Sequence, residues 1–195
     1  MRYLYLMFDA FILYLKSKFT LTDEQATLIL SVCHLKKLRK RQYLLQEGDM
    51  WRFNAFVIKG LVRTYRVDDK GLEHIIQFSA ENWWAGDRYS YLSETPARCN
   101  IDAIEDSELV LIAKADYDML LDAIPAFNNF ARLLLERTFV AAQNRIHADI
   151  SFTAEEKYHE FLKTHPTLIN RVPQHMIASY LGLKPETLSR VRTKK

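Results

Sequence analysis

Apolar positions recur along this chain with two different periods, and the changes between them mark out its elements. Residues 1–15 are apolar and aromatic, but Asp9 interrupts them, their basic lead is the single Arg2 and no small-residue cleavage site follows. The stretch is too short to span a membrane, so it predicts a packed N-terminal helix rather than a signal peptide. Thr20-Leu21-Thr22-Asp23-Glu24-Gln25 then places Thr or Asp caps before acidic first-turn residues. Ala26, Leu28, Ile29, Leu30 and Val32 supply the buried side of a second helix.

From Lys36 the pattern changes. The basic run Lys36-Lys37-Leu38-Arg39-Lys40-Arg41 leads into Tyr43-Leu44-Leu45 and the turn Glu47-Gly48-Asp49, which reads as a lead-in strand with outward Lys and Arg. Strand candidates at 54–58, 61–67 and 73–78 are separated by Lys59-Gly60 and Asp68-Asp69-Lys70-Gly71, so hairpins are the economical connection. Further strands are expected at 99–103 and 109–112, either side of the turn Glu105-Asp106-Ser107. Strands this short and frequent predict an antiparallel jelly roll or sandwich able to hold a small ligand.

The longer period then returns. Asp116 is expected to cap a helix carrying Tyr117, Leu120 and Leu121, and Ile124-Pro125 to break it before a long helix over 126–149. Leu135, Phe139, Ala142 and Ile146 form one apolar stripe of that helix, and Phe127, Ala131, Leu134, Thr138 and Ala141 a second. One stripe can face the sheet domain and the other a partner helix, although periodicity alone leaves an intramolecular role open. Ser151 to Thr153 interrupts the pattern, and Thr153-Ala154-Glu155-Glu156 opens another helix that ends before His165-Pro166.

The last two dozen residues read as two short helices about a glycine turn. Pro173 suits a first helical turn, Ile177, Ala178 and Leu181 form an apolar face, and Gly182 permits the left-handed turn. The second helix opens at Pro185, keeps Glu186 near its positive end, buries Leu188 and Val191, and leaves Thr187, Ser189, Arg190 and Arg192 polar. This fits a helix-turn-helix whose second element enters the DNA major groove, although a helical hairpin that merely packs a domain end has the same spacing.

The run Ile177-Ala178-Ser179-Tyr180-Leu181-Gly182-Leu183-Lys184-Pro185-Glu186-Thr187-Leu188-Ser189-Arg190 resembles the DNA-binding helix pair of Crp/Fnr-type transcription regulators. Upstream, Glu47-Gly48-Asp49, Phe56-Val57-Ile58-Lys59-Gly60-Leu61-Val62-Arg63, Asp69-Lys70-Gly71-Leu72-Glu73 and Ala103-Ile104-Glu105-Asp106-Ser107-Glu108 resemble successive landmarks of a cyclic-nucleotide-binding-type domain. The resemblance covers nearly the whole chain and implies an α+β fold. A jelly-roll sensor with N-terminal helices would occupy 1–125, a dimerisation helix 126–150 and a helix-turn-helix domain 151–195. It further implies a two-fold homodimer in the cytoplasm that binds double-stranded DNA and answers to a small-molecule effector of unknown identity.

Charge sharpens the picture at one end only. Of 27 basic and 24 acidic residues, the segment 171–195 holds Arg171, Lys184, Arg190, Arg192, Lys194 and Lys195 against Glu186 alone. The DNA contacts are therefore expected from Lys184, Pro185, Glu186, Thr187, Ser189, Arg190, Arg192 and Lys194. Glu186 can accept from a cytosine amino group, Arg190 can pair with guanine, and Thr187 and Ser189 can reach phosphate or neighbouring base edges.

The effector site is less regular. Relatives that bind a cyclic nucleotide carry Gly-Glu and, further on, Arg-Ser/Thr-Ala; the matching positions here are Gly86-Asp87 and Arg98-Cys99-Asn100. The Arg is kept, the carboxylate is a methylene short and a thiol replaces the hydroxyl. Mid-helix, Thr138 is the nearest hydroxyl to Phe139-Val140-Ala141-Ala142. Gly86, Asp87, Arg98, Cys99 and Thr138 thus mark the effector pocket, with weak or absent cyclic-nucleotide binding expected and no cofactor. Trp83 and Trp84 face opposite ways on a strand, so core packing or an exposed surface is expected of them. Cys33 and Cys99 form no metal or disulfide motif, and His74, His147, His159 and His175 lack ligand spacing. No motif points to an enzyme or to a membrane partner.

Overall fold

The computed structural model describes residues 2–193, with side chains from Phe8 onward. The N-terminal helices are α1 (Arg2–Lys16) and α2 (Asp23–Ser31), the latter closed by a reciprocal Thr22–Gln25 capping box. Eight strands follow: β1 (Cys33–Leu38), β2 (Tyr43–Leu45), β3 (Phe53–Lys59), β4 (Val62–Val67), β5 (Glu73–Ser79), β6 (Trp84–Ala85), β7 (Asn100–Ala103) and β8 (Ser107–Ala113). A short helix α3 (Arg88–Ser93) sits between β6 and β7. Five helices complete the chain: α4 (Lys114–Ala123), α5 (Pro125–Ser151), α6 (Ala154–Thr164), α7 (Gln174–Tyr180) and α8 (Pro185–Thr193).

The strands form two four-stranded sheets, ordered β1-β8-β3-β6 and β2-β7-β4-β5. Both faces of the first sheet are apolar, and that fact fixes what must cover it. Ala55, Val57 and Leu109 point into a core shared with Val62, Ile101 and Ala103 of the second sheet. Their strand neighbours Phe56, Val110 and Ile112 meet Phe11 and Leu15 of α1, Ile29 of α2, Leu120 of α4 and Phe127 and Phe130 of α5. The first sheet is thus buried between helices and a second sheet, and single-sided hairpin packing cannot satisfy it.

This is why only one of the expected hairpins forms. β4 and β5 pair across the turn at 68–72, where the Asp68 amide donates to the Leu72 carbonyl at 3.0 Å. Lys59-Gly60-Leu61 and the turn before Ser107 instead carry the chain from one sheet to the other. These two crossings brace each other: the Leu61 amide donates to Ser107 Oγ at 3.0 Å, and the Ile104 amide to the Leu61 carbonyl at 2.8 Å. Gly60, at φ +96°, is required there because a Cβ would lie 2.6 Å from the Asp106 carbonyl oxygen. A second correction concerns Asp116, which lies in the first turn of α4, whereas the cap position is Ala113 with no side-chain bond.

The face of the second sheet opposite Val62 and Ile101 carries a buried ion pair. Arg63 on β4 and Asp102 on β7 are cross-strand partners joined at 2.8 and 2.9 Å, with the guanidinium 4.2 Å from the Tyr65 ring centroid. The Tyr65 hydroxyl lies 3.2 Å from that of Tyr43, and burial raises its pKa above the usual phenol value.

By its internal contacts the chain divides into two compact units, residues 1–66 with 77–134, and residues 67–76 with 135–195. The division falls inside α5 and gives the tip of the β4–β5 hairpin to the helical unit. On α5 the expected second stripe is buried only at its start: Phe127 and Ala131 are buried and Leu134 packs against the same cluster, whereas Thr138 and Ala141 are exposed. The core of the helical unit comprises Tyr158, Phe161, Leu168, Val172, Ile177, Ala178, Leu181 and Leu188.

Candidate functional site

The C-terminal helix pair is closed by backbone geometry that its sequence demands. Pro173 occupies the cap position of α7. At the other end Gly182 adopts φ +65°, and the Leu183 amide donates back to the Ala178 carbonyl at 2.9 Å, the six-to-one bond of a Schellman turn. Lys184 then supplies the carbonyl that receives the Thr187 and Leu188 amides, and Pro185 opens α8 where no amide donor is needed. Leu188 is buried and holds α8 to the core.

What remains on α8 faces outward. Lys184, Pro185, Glu186, Ser189, Arg190 and Arg192 are exposed, and Thr187 and Val191 are half-buried. The Arg190 guanidinium reaches Thr187 Oγ1 at 3.5 Å, so the two share one surface. Together with Thr153, Ala154 and Glu155 at the start of α6, these two residues and Val191 line an open cleft of about 330 Å³. Lys194, the candidate backbone contact at the chain end, lies outside the described residues. The structure therefore gathers the expected set, apart from that lysine, on α8 and on Lys184 immediately before it.

The loop expected to hold an effector is also assembled, but its groups are occupied. Asp87 caps α3: Oδ1 accepts from the Tyr89 and Ser90 amides at 2.9 and 3.2 Å. Its Oδ2 accepts from the Arg98 amide at 3.1 Å and from Cys99 Sγ at 3.4 Å. Four donors fill the acceptor sites of one carboxylate, and Asp87 is buried. Gly86, at φ +157°, packs on Trp51, whose Nε1 would lie 2.7 Å from an added Cβ. Arg98 turns to the surface, where its guanidinium bonds the Tyr89 hydroxyl at 2.8 Å and stacks 4.2 Å from that ring centroid. Burial, then the adjacent Asp87 charge, pushes the Cys99 thiol up to about 12, and burial does the same to Cys33. Neither thiol is primed for redox chemistry. Thr138 belongs to the other compact unit, exposed on α5.

Sequence reasoning missed α3, whose six residues are too few to show a period; an Asp placed one residue ahead of Arg88 was its one visible signal. It also missed Arg145 and Ser179, discussed below. Of the paired tryptophans, Trp84 packs against Phe11, Phe56 and Tyr117 while Trp83 is exposed. Among the described residues no group of His, Cys, Asp and Glu is arranged to hold a metal, and no helix is long and apolar enough to cross a membrane.

Comparison with known proteins agrees with this architecture. Residues 35–123 match the family model described as the cyclic nucleotide-binding domain. The chain is 25% identical over 183 residues to the cyclic AMP receptor protein of Thermus thermophilus, covering 88% of this chain and 81% of that one. FixK2 from Bradyrhizobium japonicum superposes with a TM-score of 0.73 at 19% identity, over 84% of each chain. A protein classed as a Crp/Fnr-family transcriptional regulator, from Eubacterium rectale, gives a TM-score of 0.66 at 18% identity, over 88% of this chain and 82% of that one. At these identities the structural likenesses speak to fold.

Inside the helical unit, His165 packs against Phe161 and Tyr180, with Nε2 3.4 Å from the Tyr180 hydroxyl. Burial, and then the Arg145 charge, lower its pKa below 6.5. The stabilising contribution of neutral His165 is present above its unfolded value and lost as pH falls through the depressed folded value. Thermal melts of the helical unit should therefore decline below about pH 6.5, and His165→Gln should flatten that decline. Identical pH curves for both proteins would refute the account.

Proposed function

We propose that the chain is a homodimeric, sequence-specific DNA-binding transcription regulator working in the cytoplasm, with α8 as its reading helix. The observation that carries this is the composition of one exposed surface: Glu186, Ser189, Arg190 and Arg192 project from a helix anchored by buried Leu188 and started by a rigid glycine-proline junction. Such a helix offers an acceptor for cytosine, a two-pronged donor for guanine and hydroxyls for phosphate on one face. The likeness to the Thermus receptor protein and to FixK2 supports the same reading. No catalytic role is proposed.

Selection from a random duplex pool tests it. A palindromic consensus is expected, with affinity that falls steeply as salt rises. Arg190→Ala should cost about 1–3 kcal/mol per half-site and relax one base pair, while Lys194→Ala should weaken every sequence alike. An equal loss across all sequences for Arg190→Ala would make that residue a phosphate clamp.

The dimer is proposed to form through α5. Leu135, Phe139, Ile146 and Ile150 are exposed in the single chain, at 50%, 64%, 59% and 81%, and an apolar stripe of that size on a regulator's long helix calls for a partner helix. Phe139→Asp should shift sedimentation from dimer to monomer without unfolding the sensor unit. A variant that still sediments as a dimer would place the interface elsewhere.

For the effector, the loop geometry disfavours a cyclic nucleotide. Asp87 has no acceptor site left for a ribose hydroxyl, Arg98 is stacked on Tyr89, and the Cys99 thiol donates its hydrogen bond to Asp87. Calorimetric titration with cyclic adenosine or guanosine monophosphate should show weak binding or none. Micromolar binding abolished by Arg98→Ala would restore Gly86, Asp87 and Arg98 as a phosphate and ribose site.

A further inference from the structure

β5 is an edge strand, so its outward amides and carbonyls have no strand to pair with. In this chain they are taken up by side chains of the helical unit. Ser179, near the end of α7, donates from Oγ to the Glu73 carbonyl at 2.7 Å and accepts from the Ile75 amide at 3.0 Å. One hydroxyl thus satisfies both kinds of edge group, at positions two apart as an extended strand presents them. Arg145 on α5 donates to the carbonyls of Ile75 and Ile76. The same guanidinium donates to the Tyr180 carbonyl at 3.0 Å and lies 4.1 Å from the Tyr180 ring centroid. Three elements, the hairpin tip, α5 and α7, therefore meet on two side chains.

We infer that the tip of the β4–β5 hairpin is a positioning element for the helix-turn-helix, fastened by Ser179 and Arg145. The inference rests on the reading of α8 as a DNA-reading helix. The fastening leaves that helix free: Ser179 and Tyr180 lie at the C-terminal end of α7, while Glu186, Ser189, Arg190 and Arg192 stay exposed. It therefore holds the reading surface in one orientation and does not mask it. An oriented helix pair loses less freedom on binding DNA than a loosely tethered one, so the tie favours the bound state. β4 and β5 run directly from this tip into the sheet that carries the Arg63–Asp102 pair.

The test uses the full chain with Ser179→Ala, Ser179→Thr and Arg145→Gln, read by amide hydrogen exchange and by affinity for an operator selected with the unaltered protein. Ser179→Ala should speed exchange at Ile75 and throughout α7 and α8, and should lower operator affinity about three- to tenfold. The salt slope should not change, since no phosphate contact is lost. Ser179→Thr, which keeps the hydroxyl, should restore both readings, and Arg145→Gln should behave as Ser179→Ala does. Faster exchange confined to Ile75 and its neighbours would overturn the inference, as would unchanged or increased operator affinity. A salt slope reduced by about one in Arg145→Gln would make Arg145 a phosphate contact instead. If the unaltered protein selects no DNA, the regulator reading fails, and the spread of exchange across α7 and α8 still decides whether the tip positions the helix pair.

Discussion

The first sheet has two apolar faces, and most of the unit that contains it follows from covering both. Ala55, Val57 and Leu109 on one side and Phe56, Val110 and Ile112 on the other cannot all be buried by a second sheet alone. Helices α1, α2, α4 and the start of α5 therefore close the outer face. At about 25 cal/mol per Å² of apolar surface removed from water, no local turn preference competes with that demand. The same demand sends the chain across between sheets at Gly60 and before Ser107 where local signals favoured a hairpin.

Occupied polar groups characterise the loop that runs from Gly86 to Cys99. A buried carboxylate must find donors, and Asp87 finds four within its own loop. That arrangement stabilises α3 and the approach to β7, and it leaves the positions that match the nucleotide-binding pattern engaged in structure. A loop of this kind can keep a family's outline while its chemistry has turned inward.

The helical unit shows the opposite distribution. Its core is small and its informative groups lie outside: the polar face of α8 and the apolar stripe of α5. Between them sits the cluster of Phe161, His165, Tyr180 and Arg145, where a stacked guanidinium also serves the free edge of β5. Edge strands need cover, and here Ser179 and Arg145 supply it at Glu73, Ile75 and Ile76.

Period and punctuation in the sequence determined a good deal by themselves. The long helix broken at Ile124-Pro125, the capping boxes at Thr22 and Thr153, the Gly182-to-Pro185 junction and the polar set on α8 are local, and local backbone chemistry is written in neighbouring residues. Strands β3, β4, β5 and β7 were legible to within a residue, because alternation needs only a few positions, whereas β8 and β1 begin two and three residues earlier than expected and the two-residue β6 was missed. Their partners were not: which strand lies beside which depends on burial summed over the whole domain, so β3 and β4 part company although a good turn joins them. Nor could sequence show that Asp87 would be saturated or that Ser179 and Arg145 would meet β5. Those bonds join residues far apart in the chain, and only the folded structure brings their atoms within hydrogen-bonding distance.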